Sequence, residues 1–258
     1  MDTAKIAKAA KMLADAWRDK YQIKEFPADL RPANRADAYA IQDEMARLLG
    51  YEVIGWKLGM TAPAGLKASN MDGPIPGRMF KVHFAEGPAT MKRSDFINPV
   101  MEPEFAFRLT ADITPREEPY TREFLAAVAV LHLAIEVAGQ RFVPPQFDGM
   151  MMIADDGGNA AFVAGPQVPG WQNMDLPGIA SELYFDGELA AETLTGDARC
   201  DPLWVLEWLA NDLSARGITL PSGSWVSTGS GTKQMPLGDH KETIASFAGL
   251  GKVALTLV

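Results

Sequence analysis

The chain has 258 residues, of which 47% are hydrophobic, so it is long enough to bury a sizeable core. Its formal charge of −9 argues against nucleic acid or an anionic membrane as a partner, and a small anionic ligand would need a local cation. A single cysteine, Cys200, excludes disulfides within the chain and argues against zinc–thiolate sites. No apolar signal segment or run of membrane-spanning length is present, which predicts a cytoplasmic protein.

The first fifty residues predict two helices. Apolar residues recur at three- and four-residue steps from Ile6 to Trp17, and Thr3 is the predicted N-cap of this helix. Asn34 is the predicted cap of a second helix over residues 35–49, and Gly50 is its C-terminal stop.

After Gly50 the pattern changes to short strands separated by turns rich in glycine and proline. Asp186-Gly187 is a hairpin signal between two of these strands, and one further helix is predicted from Pro202 to Ser214. Few strands alternate with helices, so the sequence predicts a mixed or antiparallel sheet within an α+β fold rather than a doubly wound sheet. The predicted strands are residues 51–58, 105–109, 130–137, 160–163, 182–185 and 253–258.

Three acidic residues stand in apolar surroundings. Glu102 and Glu104 are two positions apart in a strand-like segment, so their side chains share a face, and Glu136 lies in an apolar run of strand length. Buried carboxylates on one face repel each other unless a cation or a shared proton neutralises them. The three acids therefore indicate a site for a hard cation, Mg²⁺ or Mn²⁺. The competing interpretation is that Glu102 and Glu104 mark a solvent-facing side of a strand.

Several segments, in this order, resemble the fumarylacetoacetate hydrolase superfamily, in particular its 2-oxo-4-pentenoate hydratases and 2-oxo-3-hexenedioate (4-oxalocrotonate) decarboxylases. The similarity covers nearly the whole chain, and it is carried by the ordered set of segments rather than by one motif. The matching segments are residues 35–42, Gly55-Trp56-Lys57-Leu58-Gly59-Met60-Thr61, Glu102-Pro103-Glu104-Phe105-Ala106-Phe107, Glu136-Val137 with Arg141, Ile153-Ala154-Asp155-Asp156 with residues 162–165, and Ser227-Thr228-Gly229-Ser230-Gly231-Thr232.

The resemblance implies a mixed β-roll body with a helical N-terminal part. Residues 1–70 would hold the helices and the first strand, and residues 71–258 the catalytic β-roll, as one structural unit. It also implies that Glu102, Glu104 and Glu136 bind Mg²⁺ or Mn²⁺. The implied assembly is a homo-oligomer, with a complex with a pathway partner as a further alternative.

The implied activity is that of a metal-dependent lyase acting on a 2-oxo-enoate in aromatic-compound catabolism. Hydration of 2-oxo-4-pentenoate ranks ahead of decarboxylation of 2-oxo-3-hexenedioate. Lys57 and Asp155 are the implied catalytic residues, and a nearby cation is expected to lower the pKa of Lys57. A strand-end lysine and a turn aspartate are the ordinary alternatives. The implied substrate-binding residues are Leu58, Thr61, Ser230 and Thr232.

The chain departs from the family pattern at three positions. Ile75 stands in Pro74-Ile75-Pro76-Gly77 where hydratases of this branch often have an aspartate, which favours the decarboxylase. Ala138-Gly139-Gln140 stands where Val/Ile-Asp-Ser is common in this branch, so the comparison with the family implies the loss of a polar group that supports the metal site. These departures keep a non-catalytic partner subunit open as an alternative.

Two further questions concern the substrate. A C–C hydrolase acting on an acylpyruvate is a third alternative, but it needs a glutamate–histidine pair. The histidines show neither that pairing nor the spacing of zinc ligands; they are His83, His132 and His240. Arg78, Lys81 and Arg141 are candidates for recognising a distal carboxylate.

Overall fold

The N-terminal segment folds as two helices that pack side by side. The computed structural model describes residues 1–69, 71–143 and 148–258. Helix α1 spans Thr3–Asp19, and its N-cap is Asp2 rather than the predicted Thr3, because the Asp2 carboxylate accepts a hydrogen bond from the Lys5 N–H at 2.8 Å. Helix α2 spans Arg35–Leu49, and its cap at Asn34 and stop at Gly50 are as predicted.

The remaining elements alternate irregularly between short helices and strands. The later helices are α3 Pro63–Ser69, α4 Arg122–Ala127, α5 Gly149–Ala154 and α6 Pro202–Ala215. The strands are β1 Val53–Gly59, β2 Ile75–Phe80, β3 Phe84–Glu86, β4 Ala89–Met91, β5 Val100–Leu109, β6 Ala129–Ala138, β7 Asn159–Gln167, β8 Ser181–Phe185, β9 Glu188–Ala191, β10 Trp225–Ser230, β11 Met235–Pro236, β12 Glu242–Phe247 and β13 Gly251–Leu257.

Two sheets form the body of the described chain. The larger has the order β2-β1-β10-β5-β6-β7-β3, with β11 added beside β5, and it curls into a half-barrel. The smaller has the order β4-β13-β12-β8-β9. Parallel pairs (β1 with β10, β3 with β7) occur beside antiparallel ones, so the predicted mixed sheet and α+β class are confirmed. The predicted hairpin at Asp186-Gly187 joins β8 to β9.

The two faces of the large sheet have different chemistry because side chains alternate along each strand. On β5, Phe105 and Phe107 enter the main core beneath the smaller sheet and α6, where the Phe105 and Phe247 rings lie 5.2 Å apart. The alternate positions, which include Glu102 and Glu104, face the concave side of the curl. That side contains the acids at one end and a small aromatic cluster around Phe162 and Trp225 at the other.

Two strands occupy segments whose sequences predict turns or loops. The glycine- and proline-rich residues 73–77 predict a turn, yet three of them belong to β2, which pairs with β1 along its length. The segment of residues 227–232, for which the resemblance implies a Gly/Ser/Thr-rich loop, belongs to β10 as far as Ser230. Strand β10 lies between β1 and β5 in the larger sheet. Both segments are extended because they pair with neighbouring strands, although their composition alone indicates turns or loops.

A second core joins α1 and α2 to α5 and β2, with Phe142 fully buried among them. The N-terminal helices therefore share their core with elements from beyond residue 71. The division of the chain at residue 70 stays a prediction. No helix in the described ranges has the length and apolar character needed to cross a membrane.

Candidate functional site

The concave face of the large sheet brings the three predicted acids together. Glu102 on β5 lies directly opposite Glu136 on β6, and Glu104 is two residues further along β5 on the same face. All three are buried, with 4%, 1% and 1% of their surface exposed for Glu102, Glu104 and Glu136. This set, called the carboxylate cluster below, excludes the solvent-facing interpretation.

Strand β10 supplies the hydrogen bonds of Glu104. The Ser227 hydroxyl and the Gly229 N–H both donate to Glu104 Oε2, the second at 2.8 Å. Gly229 has φ +108°, a conformation that favours glycine, and a Cβ there would clash with the Thr61 hydroxyl. The central strand is therefore shaped to hold one oxygen of Glu104, while the other oxygen, Oε1, is buried and accepts no hydrogen bond in the described part of the chain.

Lys57 provides the cation of the cluster. Its Nζ lies 2.7 Å from Glu136 Oε1, although β1 and β6 are separated in the sheet by β10 and β5, so the curl of the sheet brings them together. Burial acts to lower the pKa of Lys57, but the charges of Glu136 and then Glu102 outweigh it, and the pKa is raised. The lowered pKa expected for Lys57 beside a bound cation stays a prediction, because the raised pKa is that of the cluster alone, in which the carboxylates dominate.

The carboxylates have more negative charge than Lys57 can neutralise. Burial, and next the charge of Glu136, raises the pKa of Glu102 to about 7, against the opposing effects of Lys57 and a hydrogen bond from Gln234. The same two causes, with Glu102 as a third, hold the pKa of Glu104 well above its usual range. Three ionised carboxylates beside one ammonium leave two negative charges, which one divalent cation would balance.

The atoms of the carboxylate cluster are of the kind that binds a hard cation. It is made of carboxylate oxygens, of which Glu104 Oε1 and Glu136 Oε2 have neither a hydrogen bond nor an ion pair among the described residues. As the side chains stand, the described residues contain no group of three His, Cys, Asp or Glu side chains arranged around a metal position. The ammonium of Lys57 lies beside Glu136 instead. The three glutamates as metal ligands therefore stay a prediction.

A cleft with two lobes opens beside Glu102. The residues common to both lobes are Gly59, Met60, Glu102 and Gln234. The first, the threonine lobe, has a volume of about 400 Å³ and lies beneath α3; it is lined by all four predicted substrate-binding residues, Leu58, Thr61, Ser230 and Thr232. The second, the amide lobe, has a volume of about 270 Å³ and is lined by Lys57 and by Gln22, Asn98 and Gln140. Such volumes suit a small organic acid.

Asp155, the second predicted catalytic residue, lies outside both lobes. Its Oδ1 accepts a hydrogen bond from Arg141 Nε at 2.6 Å, and its Oδ2 accepts one from the Arg141 N–H at 3.0 Å. Arg141 in turn donates to the Gly139 carbonyl at 2.7 Å, and Gly139 lines the amide lobe. The geometry therefore connects Asp155 to the cleft through Arg141 rather than by direct contact.

The cations that the sequence suggested for a distal carboxylate do not line the cleft. Arg78 bonds to Gln42 and Asp43 and stacks on Trp56 in a separate groove. Lys81 pairs with Glu52 on the surface, and Arg141 is buried against Asp155.

The three departures from the family pattern also have structural settings. Ile75 is fully buried in the core shared with the N-terminal helices, so it presents no polar group to the cleft. A Cβ at position 139 would lie 2.8 Å from the Ile97 carbonyl, so Gly139 is required by close packing. Gln140 lines the amide lobe.

Three residues of the site were not singled out from the sequence. Gln234 donates from Nε2 to Glu102 Oε1 at 2.7 Å, Lys233 lines the threonine lobe, and Ser227 bonds to Glu104. All three lie on or just after the Gly/Ser/Thr-rich segment that the resemblance identified. Their roles depend on strand pairing across more than 120 residues, which no local pattern reveals.

Comparison with known proteins gives relatives along the whole chain. A 4-oxalocrotonate decarboxylase of Pseudomonas sp. (strain CF600) is 26% identical over 254 residues, covering 96% of this chain and 95% of that protein. A 2-keto-4-pentenoate hydratase of Burkholderia vietnamiensis (strain G4 / LMG 22486) is 29% identical over 223 residues, covering 85% and 84%. No protein-family model matches the chain.

Solved structures show the same fold. The 4-oxalocrotonate decarboxylase from Pseudomonas putida G7, complexed with magnesium and adipate, superposes with a TM-score of 0.89 at 22% identity, covering 100% of this chain and 99% of that one. A structure from Yersinia pestis CO92 described as a fumarylacetoacetate hydrolase family protein superposes with a TM-score of 0.57 at 14% identity, covering 81% and 94%. The predicted resemblance and the predicted fold are confirmed.

Proposed function

We propose that this chain, which has the fumarylacetoacetate hydrolase fold and resembles the hydratase and decarboxylase branch of that superfamily, is a divalent-metal-dependent lyase acting on a 2-oxo-enoate. One observation carries the proposal: three buried carboxylates share the concave face of a sheet with a single lysine, and Glu102 and Lys57 of this set line a cleft of the size of a small acid. Buried carboxylates that are only partly neutralised lower the stability of the folded protein. Such arrangements are concentrated at functional sites.

Glu102, Glu104 and Glu136 are the residues that would hold Mg²⁺ or Mn²⁺. Carboxylate oxygens are the ligands that these ions prefer, and one such ion balances the two negative charges that Lys57 leaves. When bound, the cation would act as a Lewis acid that stabilises negative charge on the 2-oxo group of the substrate. Ser227 and Gly229 would orient Glu104, and Gln234 would orient Glu102.

Lys57 would hold and transfer the proton of the reaction. Its ammonium is buried at the wall of the amide lobe, beside the position where the carboxylate cluster meets the cleft. The ammonium of Lys57, paired with Glu136, would serve as the acid that protonates the carbon chain. Asp155 would act through Arg141, which fixes the Gly139 wall of the same lobe.

The threonine lobe would bind the rest of the substrate. The hydroxyls of Thr61, Ser230 and Thr232 line it, and Leu58 forms part of its apolar wall. The hydroxyls can hydrogen-bond to a carboxylate, and the apolar wall excludes water from the reacting carbons. The cytoplasmic location, the homo-oligomer and the complex with a pathway partner belong to the same proposal.

Hydration of 2-oxo-4-pentenoate is the leading reaction and decarboxylation of 2-oxo-3-hexenedioate the second. Buried Ile75, which offers no water-activating carboxylate to the cleft, favours the second. The experiment is turnover of 2-hydroxypenta-2,4-dienoate and of 2-oxo-3-hexenedioate, followed by ultraviolet absorbance with and without Mg²⁺. Metal-dependent loss of the first compound without CO₂ release establishes the hydratase, and CO₂ from the second establishes the decarboxylase. Turnover of neither compound, or turnover that needs no metal, contradicts the proposal.

A further inference from the structure

The cleft has two lysines in different situations. Among the described residues that line its lobes, the cationic side chains are Lys57 in the amide lobe and Lys233 in the threonine lobe. Lys57 is paired with Glu136. Lys233 has no carboxylate within 4 Å in the described part of the chain, although three glutamates lie in the same site. A lysine that faces a cleft in a chain of charge −9 without pairing to the cluster is available to an anionic ligand.

The backbone that presents Lys233 is held on both sides. Gly231 N–H donates to the Pro103 carbonyl at 2.7 Å, and its carbonyl accepts from Leu194 N–H at 2.9 Å. Thr232 forms a β-bridge with Thr193. On the other side, Gln234 is tied to Glu102. The ammonium of Lys233 is therefore carried by a fixed segment that borders the cluster without contacting it.

A second positive charge stands behind the same wall. Arg199 is only 6% exposed, its Nε has no hydrogen-bond partner, and no carboxylate lies within 4 Å of it among the described residues. It packs against Gly231, where a Cβ would clash with Arg199 Nη1. A buried guanidinium without a paired carboxylate makes the adjoining wall electropositive. The threonine lobe is therefore the part of the cleft suited to a negative group.

We propose that Lys233 binds a second, distal carboxylate of the substrate, so that the chain acts on a dicarboxylic 2-oxo-enoate. The inference rests on the proposed function, in which the first carboxylate and the 2-oxo group lie at the carboxylate cluster. The carbon chain then extends into the threonine lobe, and its far end meets the hydroxyl of Ser230 and the ammonium of Lys233.

This contact also bears on the reaction. In a hydration, the distal carboxylate keeps its charge, so an ion pair with Lys233 persists from substrate to product. In a decarboxylation, the carboxylate that leaves becomes neutral CO₂, and an ammonium beside it stabilises the substrate more than the transition state. Recognition by Lys233 therefore suits hydration of a dicarboxylic substrate, in place of the monocarboxylic 2-oxo-4-pentenoate, better than loss of the recognised group.

The test compares two 2-oxo acids of equal length that lack the reactive double bond. 2-Oxoadipate has the distal carboxylate, and 2-oxohexanoate does not. Calorimetric titration of each into the Mg²⁺-saturated protein measures binding without turnover. The variants are Lys233→Met, which removes the charge, and Lys233→Glu, which inverts it. The matched control is Lys67→Met on α3, an exposed lysine near the same lobe that does not line it.

The unmodified protein is expected to bind 2-oxoadipate roughly tenfold more tightly than 2-oxohexanoate, the ratio that one charge-assisted hydrogen bond provides. Lys233→Met should abolish this preference, Lys233→Glu should reverse it, and Lys67→Met should leave it intact. Equal binding of the two acids by the unmodified protein overturns the inference, as does an equal loss for both acids in Lys233→Met. If neither acid binds in the presence of Mg²⁺, the proposed function fails and the inference fails with it.

Discussion

The molecule buries charged side chains in two neighbouring regions, and the two differ in how completely the charges are partnered. Around Arg141 and Asp155, both carboxylate oxygens accept hydrogen bonds, the guanidinium also donates to the Gly139 and Asn159 carbonyls, and it stacks on Trp17 at 4.4 Å. In the carboxylate cluster, oxygens of two glutamates lack hydrogen bonds and one lysine serves three acids.

The difference separates structure from function. A buried charge whose bonds are all made joins elements together, here α1, the end of β6 and α5. Buried charged groups whose oxygens lack hydrogen-bond partners lower the stability of the folded state, and those oxygens can bind a ligand. The comparison therefore predicts that removing a charge has opposite consequences for stability in the two regions.

The largest effect is expected from Arg141→Met. The substitution leaves the carboxylate of Asp155 buried without its partner, which typically costs about 3–5 kcal/mol of the free energy of unfolding. Urea denaturation measures it. Lys81→Met is the control, because Lys81 and Glu52 form an exposed pair and such pairs contribute about 0–1 kcal/mol. A loss under 1 kcal/mol for Arg141→Met would show that this region is not the structural one.

The next effect is on activity, in Glu104→Gln. Loss of a metal-binding carboxylate is expected to lower turnover by at least about a hundredfold, which corresponds to about 2.7 kcal/mol in the activation free energy. Stability in chelator-treated protein should stay the same or rise, because the change replaces a buried carboxyl whose pKa is raised by burial and by the charge of Glu136. Steady-state kinetics and thermal unfolding measure the two. If Glu104→Gln were destabilised and kept full turnover, Glu104 would have a structural role like that of Arg141 and Asp155, which contradicts the comparison.

A smaller effect is expected from Asp156→Asn, near the boundary of the two regions. Burial raises the pKa of Asp156 to about 7; its Oδ1 accepts from Arg78 N–H at 2.7 Å, and Oδ2 has no partner among the described residues. Because the folded pKa is raised, the folded state binds more protons between about pH 4 and 7, and stability falls as the pH rises through that window. Asn keeps the acceptor and removes the charge.

The gain in stability for Asp156→Asn should be about 1–3 kcal/mol at pH 8 and smaller at pH 5. Thermal unfolding at the two pH values measures it. Asp43→Asn, at a half-exposed residue paired with Arg78, is the control, for which no comparable gain is expected. Equal gains for Asp156→Asn at both pH values would remove the titration from the explanation.

The smallest effect concerns Gln234→Ala. Loss of the hydrogen bond to Glu102 is expected to weaken Mg²⁺ binding by about 1 kcal/mol, or roughly fivefold, because the ligand is no longer oriented. Gln140 lines the amide lobe and, among the described residues, its side chain forms no hydrogen bond to the cluster, so Gln140→Ala should leave the affinity nearly unchanged. If both variants weaken binding equally, Gln234 has no special part in orienting Glu102.

The sequence predicts correctly those elements whose structure depends on residues close together in the chain. The cap of α2 at Asn34, its stop at Gly50 and the hairpin at Asp186-Gly187 depend on neighbouring residues and match the structure. Strand β10 does not, because its glycines and hydroxyls indicate a loop until β1 and β5 pair with it. The short helices α3 and α5 were also not predicted.

The candidate site shows the same limit. Alternation along β5 indicates that Glu102 and Glu104 share a face, and the apolar run indicates that Glu136 is buried. The direct pairing of Glu102 with Glu136, and the approach of Lys57 across two intervening strands, depend on register and curl. The raised pKa of Lys57 in the cluster likewise depends on the three acids that the fold brings to it.

The carboxylate cluster is expected to bind one divalent cation. The most direct measurement is calorimetric titration of Mn²⁺ or Mg²⁺ into chelator-treated protein at pH 8, where Glu102 is mostly ionised. One cation is expected to bind per chain, with binding lost in Glu136→Gln, because Glu136 contacts Lys57 and is paired with Glu102 across the two strands. No binding by the unmodified protein, or the same affinity in Glu136→Gln, would contradict this expectation.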